Sequence, residues 1–313
     1  MTSVATASPD TAAQSAPPRK KVSSLLRSQR RAGVWMALLA SLHAGIWIGL
    51  PMLASIVLSF TQYDVISAPR FIGLANFEDL FTDPVFMTSL RNTAVYAFFT
   101  VPVSMAIALV LAVMLNQGIR GQMLYRTAIF IPQVTATVAI ALVWLWIYNP
   151  RGGLANQLLG FFGIGQVSWL TDTAWSLPSI IAVGVWQGIG LKMLIYLAAL
   201  QGLPKDVFEA ASIDGATAVQ KFMQITVPML KPATFFVLVT SIIGAFQAFD
   251  QVYILTQGGP ANSTTLITYE IYKSAFQQFR MGLACAQSLV LFVFLIVLTL
   301  INRRLMGGSN DDS

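Results

Sequence analysis

Charged side chains are scarce in this chain. They make up 10% of its 313 residues, against roughly a quarter in a soluble domain, and the mean hydropathy is +0.68. With so little ionic surface, the chain's natural solvent is a bilayer. Cysteine and histidine are nearly missing, with one of each, Cys285 and His43, both inside apolar runs. A lone cysteine excludes an intrachain disulfide, and a His/Cys metal site needs about three or four converging ligands. Both residues are expected to serve packing. No Gly-Lys dipeptide occurs anywhere, whereas the phosphate-cradling loop G-x-x-x-x-G-K-[ST] requires one. The chain is therefore not expected to hydrolyse ATP or to bind a cofactor itself. Its carboxylates are scattered over loops, and no catalytic constellation forms among them.

What the sequence has instead is long apolar runs. A helix crossing the ~30 Å hydrocarbon layer needs about 20 mostly apolar residues. Six stretches qualify, at roughly 35–60, 92–115, 127–148, 180–200, 234–255 and 282–301. They lack period-2 alternation and are too long for barrel strands. The expected fold is an all-α integral membrane protein with six transmembrane helices. The first run is too long for the ~7–15 residue core of a secretory signal and reads as a retained helix. Residues 1–30, rich in Ala, Ser, Thr and Pro, read as a disordered tail, 31–305 as the membrane domain and 306–313 as a C-terminal tail.

Lysine and arginine set the orientation. With the N-terminus inside, thirteen fall in cytoplasmic segments and five (Arg70, Arg91, Arg151, Lys273 and Arg280) in external loops, with Lys192 inside the fourth span. This bias places both termini in the cytoplasm. It also explains the net charge of +6 without any need for nucleic acid as a partner.

The longest internal connection, 201–233, then lies on the cytoplasmic side between spans four and five. It contains EAASIDGATAVQKFMQITVPMLKP, 209–232. Pro204 suits the first turn of a short helix ending near Ile213. Asp214-Gly215 interrupts it, with glycine supplying positive φ and Asp214 available to cap a second helix over about 216–226. Val219, Phe222, Met223 and Thr226 form one stripe of that helix, and Pro228 and Pro232 are expected to end it. The physics leaves two readings open: a knob that docks in a groove of another protein, or an interfacial helix on lipid headgroups.

Glu209-Ala210-Ala211, three residues, Gly215, nine residues, then Ile225-x-Val227-Pro228 resembles the EAA loop of permease subunits in binding-protein-dependent ABC importers. The family pattern ends Ile-x-Leu-Pro, so Val227 is a conservative departure. FIGLANFEDLFTDPVF (71–86) with Asn92-Thr93, FDQVYILTQGGPANSTT (249–265) and GLACAQSLV (282–290) are similar to segments of carbohydrate-importer permeases. The resemblance spans roughly 35–305. It implies that the loop forms a coupling helix seated in a separate ATPase, with Glu209, Ala210, Ala211, Asp214, Gly215 and Pro228 at the docking site. It further implies a second, different permease subunit, two ATP-binding subunits carrying ATP and Mg, an external solute-binding protein, and residence in a prokaryotic plasma membrane. The implied solutes are sugars or glycerophospho-compounds.

Polar residues inside spans are the candidates for a solute path. Thr240, Gly244, Gln247 and Gln251 fall within ~60° of one another at 100° per residue, with Phe246 and Phe249 opposite. Such a stripe lines an aqueous path or makes interhelical hydrogen bonds. Asp250 either contacts solute or reaches headgroup water. Lys192 either attracts an anionic solute or snorkels. Gln187 is turned about 140° from Lys192, so the two are not expected to face one cavity. Trp144, Trp146 and Trp169 fit interfacial anchoring. The competing class is an ion-gradient-driven secondary transporter, which calls for buried acids, broken helices or inverted repeats.

Overall fold

The computed structural model describes residues 24–118 and 120–306. The tail expected over 1–30 lies outside the described residues as far as 23, and nearly all of 306–313 lies outside them too. The regular secondary structure among the described residues is helical apart from one short hairpin. The chain divides into two units, one ending at Ala54 and one beginning at Ser55.

The described part of the first unit is helical. Helix α1 (Ser24–Ala44) passes through a π-turn at Gly45–Gly49 into α2 (Leu50–Leu58). The stretch Gln29–Leu58 is long and apolar enough to cross a membrane. From Val34 to Leu58 its side chains are apolar on every face apart from Ser41, His43 and Ser55, the pattern of a helix solvated by lipid, and Trp35, Leu39 and Trp47 are exposed. His43 is exposed as well, and its ring centroid lies 6.4 Å from that of Trp47. Cys285, in the second unit, is buried as expected.

The second unit begins within α2 and continues with β1 (Thr61–Gln62) paired antiparallel to β2 (Arg70–Phe71), then α3 (Ala75–Thr82). Asn76 closes this first loop by donating to the Ser59 and Thr61 carbonyls, each at 2.9 Å. Helix α4 (Pro84–Asn116) starts with proline in its first turn, and the Asp83 carboxylate accepts from the Val85 N–H. Both features satisfy a helix N-terminus without wasting donors.

Helices α5 (Gln122–Val134) and α6 (Thr137–Ile147) meet at 98°. The third span, expected as one run over 127–148, is thus a sharply broken pair. Pro132 lacks the N–H that would continue the ladder, and Thr135 and Ala136 turn to extended backbone, ψ 140° and 126°. Five helices are long and apolar enough to cross a membrane, and up to six if this pair counts as one span.

After α7 (Leu154–Phe161) comes α8 (Ser176–Gln201), which packs along α4. Tyr96, Val101 and Ala108 of α4 and Ile180, Val183, Met193 and Tyr196 of α8 are buried between them. The polar loop follows as α9 (Lys205–Ile213), α10 (Ala218–Lys221), a π-turn at Phe222–Thr226 and α11 (Val227–Met229). The fifth span is α12 (Lys231–Phe246) followed by α13 (Asp250–Leu255). It is interrupted at 247–249, where the freed Ala248 carbonyl accepts from the Thr268 hydroxyl. Helix α14 (Ile267–Tyr272) leads through a π-turn at Lys273–Gln277 to α15 (Met281–Met306).

Segments far apart in sequence are pinned together in this unit. Asn92 donates to the carbonyls of Asn262 and Thr265, at 2.9 and 3.2 Å, and the Thr93 hydroxyl accepts from the Ile267 N–H at 2.8 Å. Gly282, at the head of α15, sits where any side chain would collide with the Thr61 carbonyl. Outside the spans, Glu270 is buried beside Lys273, 3.8 Å away. Burial raises its carboxyl above the usual range, with the lysine opposing that shift.

Candidate functional site

Two polar features interrupt the apolar bundle: the loop between α8 and α12, and a cavity among α4, α5, α6, α8, α12 and α13.

The loop folds as two short helices around a tight turn. Gly215 has φ +75°, the left-handed region that glycine enters without strain. Asp214 is the C-cap of α9 and does not cap the next helix. That role belongs to Thr217, whose hydroxyl accepts from the Gln220 N–H at 3.3 Å while Gln220 accepts from the Thr217 N–H at 2.8 Å. This is a capping box, and the pair was legible in the sequence as Thr-x-x-Gln. Pro204 is the N-cap of α9 and stands just ahead of its first turn. The other two prolines do not end the second helix either. Pro228 lies in α11 and Pro232 in the first turn of α12, positions where a missing N–H costs little.

Glu209, Ala210, Asp214, Gly215 and Pro228 are exposed, and Ala211 is half-buried. So are large apolar side chains: Ile213 is 87% exposed, Val219 71% and Met223 61%. The expected stripe therefore divides, with Val219 and Met223 outward and Thr226 buried at the base. The Lys221 ammonium donates to the Ser212 hydroxyl at 2.7 Å and ties α10 to α9, so the two helices form one body.

The cavity has a volume of about 360 Å³, at the small end of the ~300–1,000 Å³ range typical of ligand pockets. All six residues expected on the solute path line it: Lys192, Thr240, Gly244, Gln247, Asp250 and Gln251. Gln187 lines it too, contrary to the expectation from helix angles, and so does Phe249. Angles of 100° per residue hold only for an uninterrupted helix facing a single point. The cavity instead wraps around α8, and the break at 247–249 resets the phase of everything after it.

A chain of hydrogen bonds crosses this cavity's wall. The Tyr96 hydroxyl donates to Gln251 Oε1 at 3.0 Å, Gln251 Nε2 donates to Gln187 Oε1 at 2.8 Å, and Gln187 Nε2 donates to Thr137 Oγ1 at 3.4 Å. It links α4, α13, α8 and α6. Gln251 is buried within it, so this residue braces the wall, while Gln247, Asp250 and Thr240 stay exposed. Gly184 is what lets Tyr96 approach, since a Cβ there would collide with the phenol oxygen. Periodicity in single spans gave no sign of Tyr96 or Thr137. Gln133 also lines the cavity, and its place directly after Pro132 was a usable signal. Lys192 and Asp250 carry opposite charges but form no ion pair with each other or with another described residue. The lysine ammonium donates to the Gly188 carbonyl at 3.1 Å.

Trp144 and Trp169 pack at a tilt against Tyr148, at 5.0 and 5.5 Å between centroids, while Trp146 is 62% exposed. Trp146 alone among the three has the exposure of an anchor.

Comparison with known proteins adds the following. A family model described as binding-protein-dependent transport system inner membrane component matches residues 104–307. The lactose transport system permease protein LacF of Rhizobium radiobacter is 40% identical over 232 residues, covering 72% of this chain and 77% of that one. The sn-glycerol-3-phosphate transport system permease protein UgpA of Agrobacterium fabrum is 36% identical over 233 residues, 74% and 78% of the two chains. A crystal structure of a bacterial ABC transporter that imports the acidic polysaccharide alginate matches with a TM-score of 0.78 over 92% of this chain and 100% of that one. At 24% identity, that match speaks to the fold alone.

Proposed function

The chain belongs to the family of binding-protein-dependent transport system inner membrane components, and from that premise we propose that its cavity passes a neutral sugar and that its polar loop receives the driving motion from a separate ATPase. As a permease subunit of an ABC importer it spans the membrane. The single observation carrying the solute reading is the cavity lining: amides of Gln133, Gln187, Gln247 and Gln251, one cation and one carboxylate, inside otherwise apolar helices. Hydroxyl groups both donate and accept, so a polyol can satisfy amides, Lys192 and Asp250 together. A phosphate ester gains from Lys192 but meets repulsion from Asp250, which favours the sugar over the glycerophospho-compound.

The loop's geometry supports docking better than lipid contact. Its exposed Ile213 and Val219 are mixed with Glu209, Asp214 and the two small residues Ala210 and Ala211, a surface shaped for a groove. In the mechanism we infer, ATP draws two motor subunits together and their clefts carry the loops of this chain and of a second permease inward. The paired permeases then turn the cavity toward an external binding protein. Hydrolysis returns it. In this reading the loop and both termini lie in the cytoplasm of a prokaryotic cell, and ATP and Mg belong to the partner subunits.

Uptake by the assembled complex in proteoliposomes is the test. We expect uptake to vanish when the partner ATPase is inactivated and to be unchanged by ionophores; the reverse pattern would make the chain a secondary transporter. Within the same assay, Gln251→Leu should lower uptake by about tenfold, because it leaves Tyr96 and Gln187 without their buried partner. Uptake at the wild-type level would show that the polar chain does not shape the path.

A further inference from the structure

The position of the cavity's lysine depends on a neighbour that has no side chain. Lys192 folds back one helical turn to the Gly188 carbonyl. A methyl group built on Gly188 would stand 2.7 Å from the ammonium nitrogen, and it would meet nothing else within 4 Å. The ammonium therefore fills the space that a side chain at 188 would take. Its charge is held against a carbonyl dipole at the cavity wall, and the carboxylate of Asp250 lines the same cavity without pairing to it.

Resting on the reading of this cavity as the solute path, we propose that Gly188 sets its charge preference. By leaving room for Lys192 to lie along α8, it keeps the cavity suited to uncharged, hydroxyl-rich solutes. Alanine at 188 evicts only the tip of a flexible side chain. The ammonium then extends into the cavity, where it can make a charge-assisted hydrogen bond to a carboxylate or phosphate. Gly188→Ala is compatible with folding, since alanine is the better helix former and no backbone atom stands in its way.

The test uses the chain co-purified with its native partner subunits in nanodiscs, as wild type, Gly188→Ala and Lys192→Met. Each is treated with trinitrobenzenesulfonate, an anionic amine reagent, and modification at Lys192 is quantified by peptide mass spectrometry, with Lys192→Met as background. Lactose and its carboxylate analogue lactobionate serve as probes. We expect labelling of Lys192 to rise about tenfold in Gly188→Ala, the order of one charge-assisted hydrogen bond released. Lactobionate should protect Lys192 in that variant far better than lactose does. Equal labelling of wild type and variant would overturn the placement of the lysine. Higher labelling with equal protection by the two probes would overturn the charge preference. Neither readout requires transport, so a failed uptake assay alongside the expected labelling would count against the transport reading and leave this inference standing.

Discussion

Valine at Gly215 is expected to reduce uptake by roughly tenfold or more while leaving membrane insertion at the wild-type level. The residue has φ +75°, where a non-glycine L-residue costs about 1–2 kcal/mol and a β-branched one is a conformational outlier. Nothing lies within 4 Å of a Cβ built there, so the substitution displaces no neighbour. Within this chain its effect falls on the turn between α9 and α10. Because the Lys221–Ser212 hydrogen bond couples those helices, relaxing the turn also changes the surface that Glu209, Ala210 and Ala211 present. Gly215→Asn is the matched control, since asparagine enters the left-handed region more readily, and it should retain most uptake. Uptake is measured beside co-purification of the ATPase. Full uptake by the valine variant would remove the turn from the coupling route, and equal loss in both variants would show that side-chain bulk, not backbone conformation, is what matters.

A second large effect is expected at Gly190, midway between Gly188 and Lys192 on α8. A Cβ there would stand 2.6 Å from the Ile129 carbonyl oxygen and 2.9 Å from the Phe130 Cα. Both are backbone atoms of α5 and cannot swing aside as the lysine tip can at 188. Gly190→Ala must push α5 away from α8, and overpacking of this kind costs about 1–3 kcal/mol. The displaced helix leads directly into the 98° bend, which carries Gln133 and Thr137 on the cavity wall. Stability and transport should therefore fall together. Thermal melting of the detergent-solubilised complex should drop by several degrees, and uptake should fall with it. A variant with unchanged melting and uptake would show that α5 and α8 do not need their close approach. The contrast with Gly188→Ala, two residues away and expected to melt normally, separates a backbone clash from a side-chain one.

Much of this protein was legible one segment at a time. Hydropathy located the membrane helices, because the cost of burying a helix in hydrocarbon is close to a sum over its own ~20 residues. The spacing from Glu209 through Gly215 to Pro228 located the loop, because a helix, a positive-φ turn and a second helix are set by neighbours in sequence. The Thr217–Gln220 capping box is equally local, but Asp214 is also a good cap by residue type, so sequence alone does not choose between them.

The cavity was a different matter. Lys192, Gln247 and Gln251 were identifiable as polar residues in apolar runs, yet their arrangement came from where helices break and which helices meet. Tyr96 reaches Gln251 across 155 positions, and Gln187 reaches Thr137 across 50. The break at 247–249 is held open by Thr268, itself twenty residues from Ala248. A helical wheel assumes that the backbone ladder continues, and that assumption fails wherever a distant side chain satisfies a freed carbonyl more cheaply than the next turn would. The sequence by itself thus determined which segments are long and apolar enough to cross a membrane and where the polar loop lies. Only the tertiary structure decided which polar groups share a space, because that depends on close approaches, at Gly184, Gly188 and Gly190, whose partners no local pattern names.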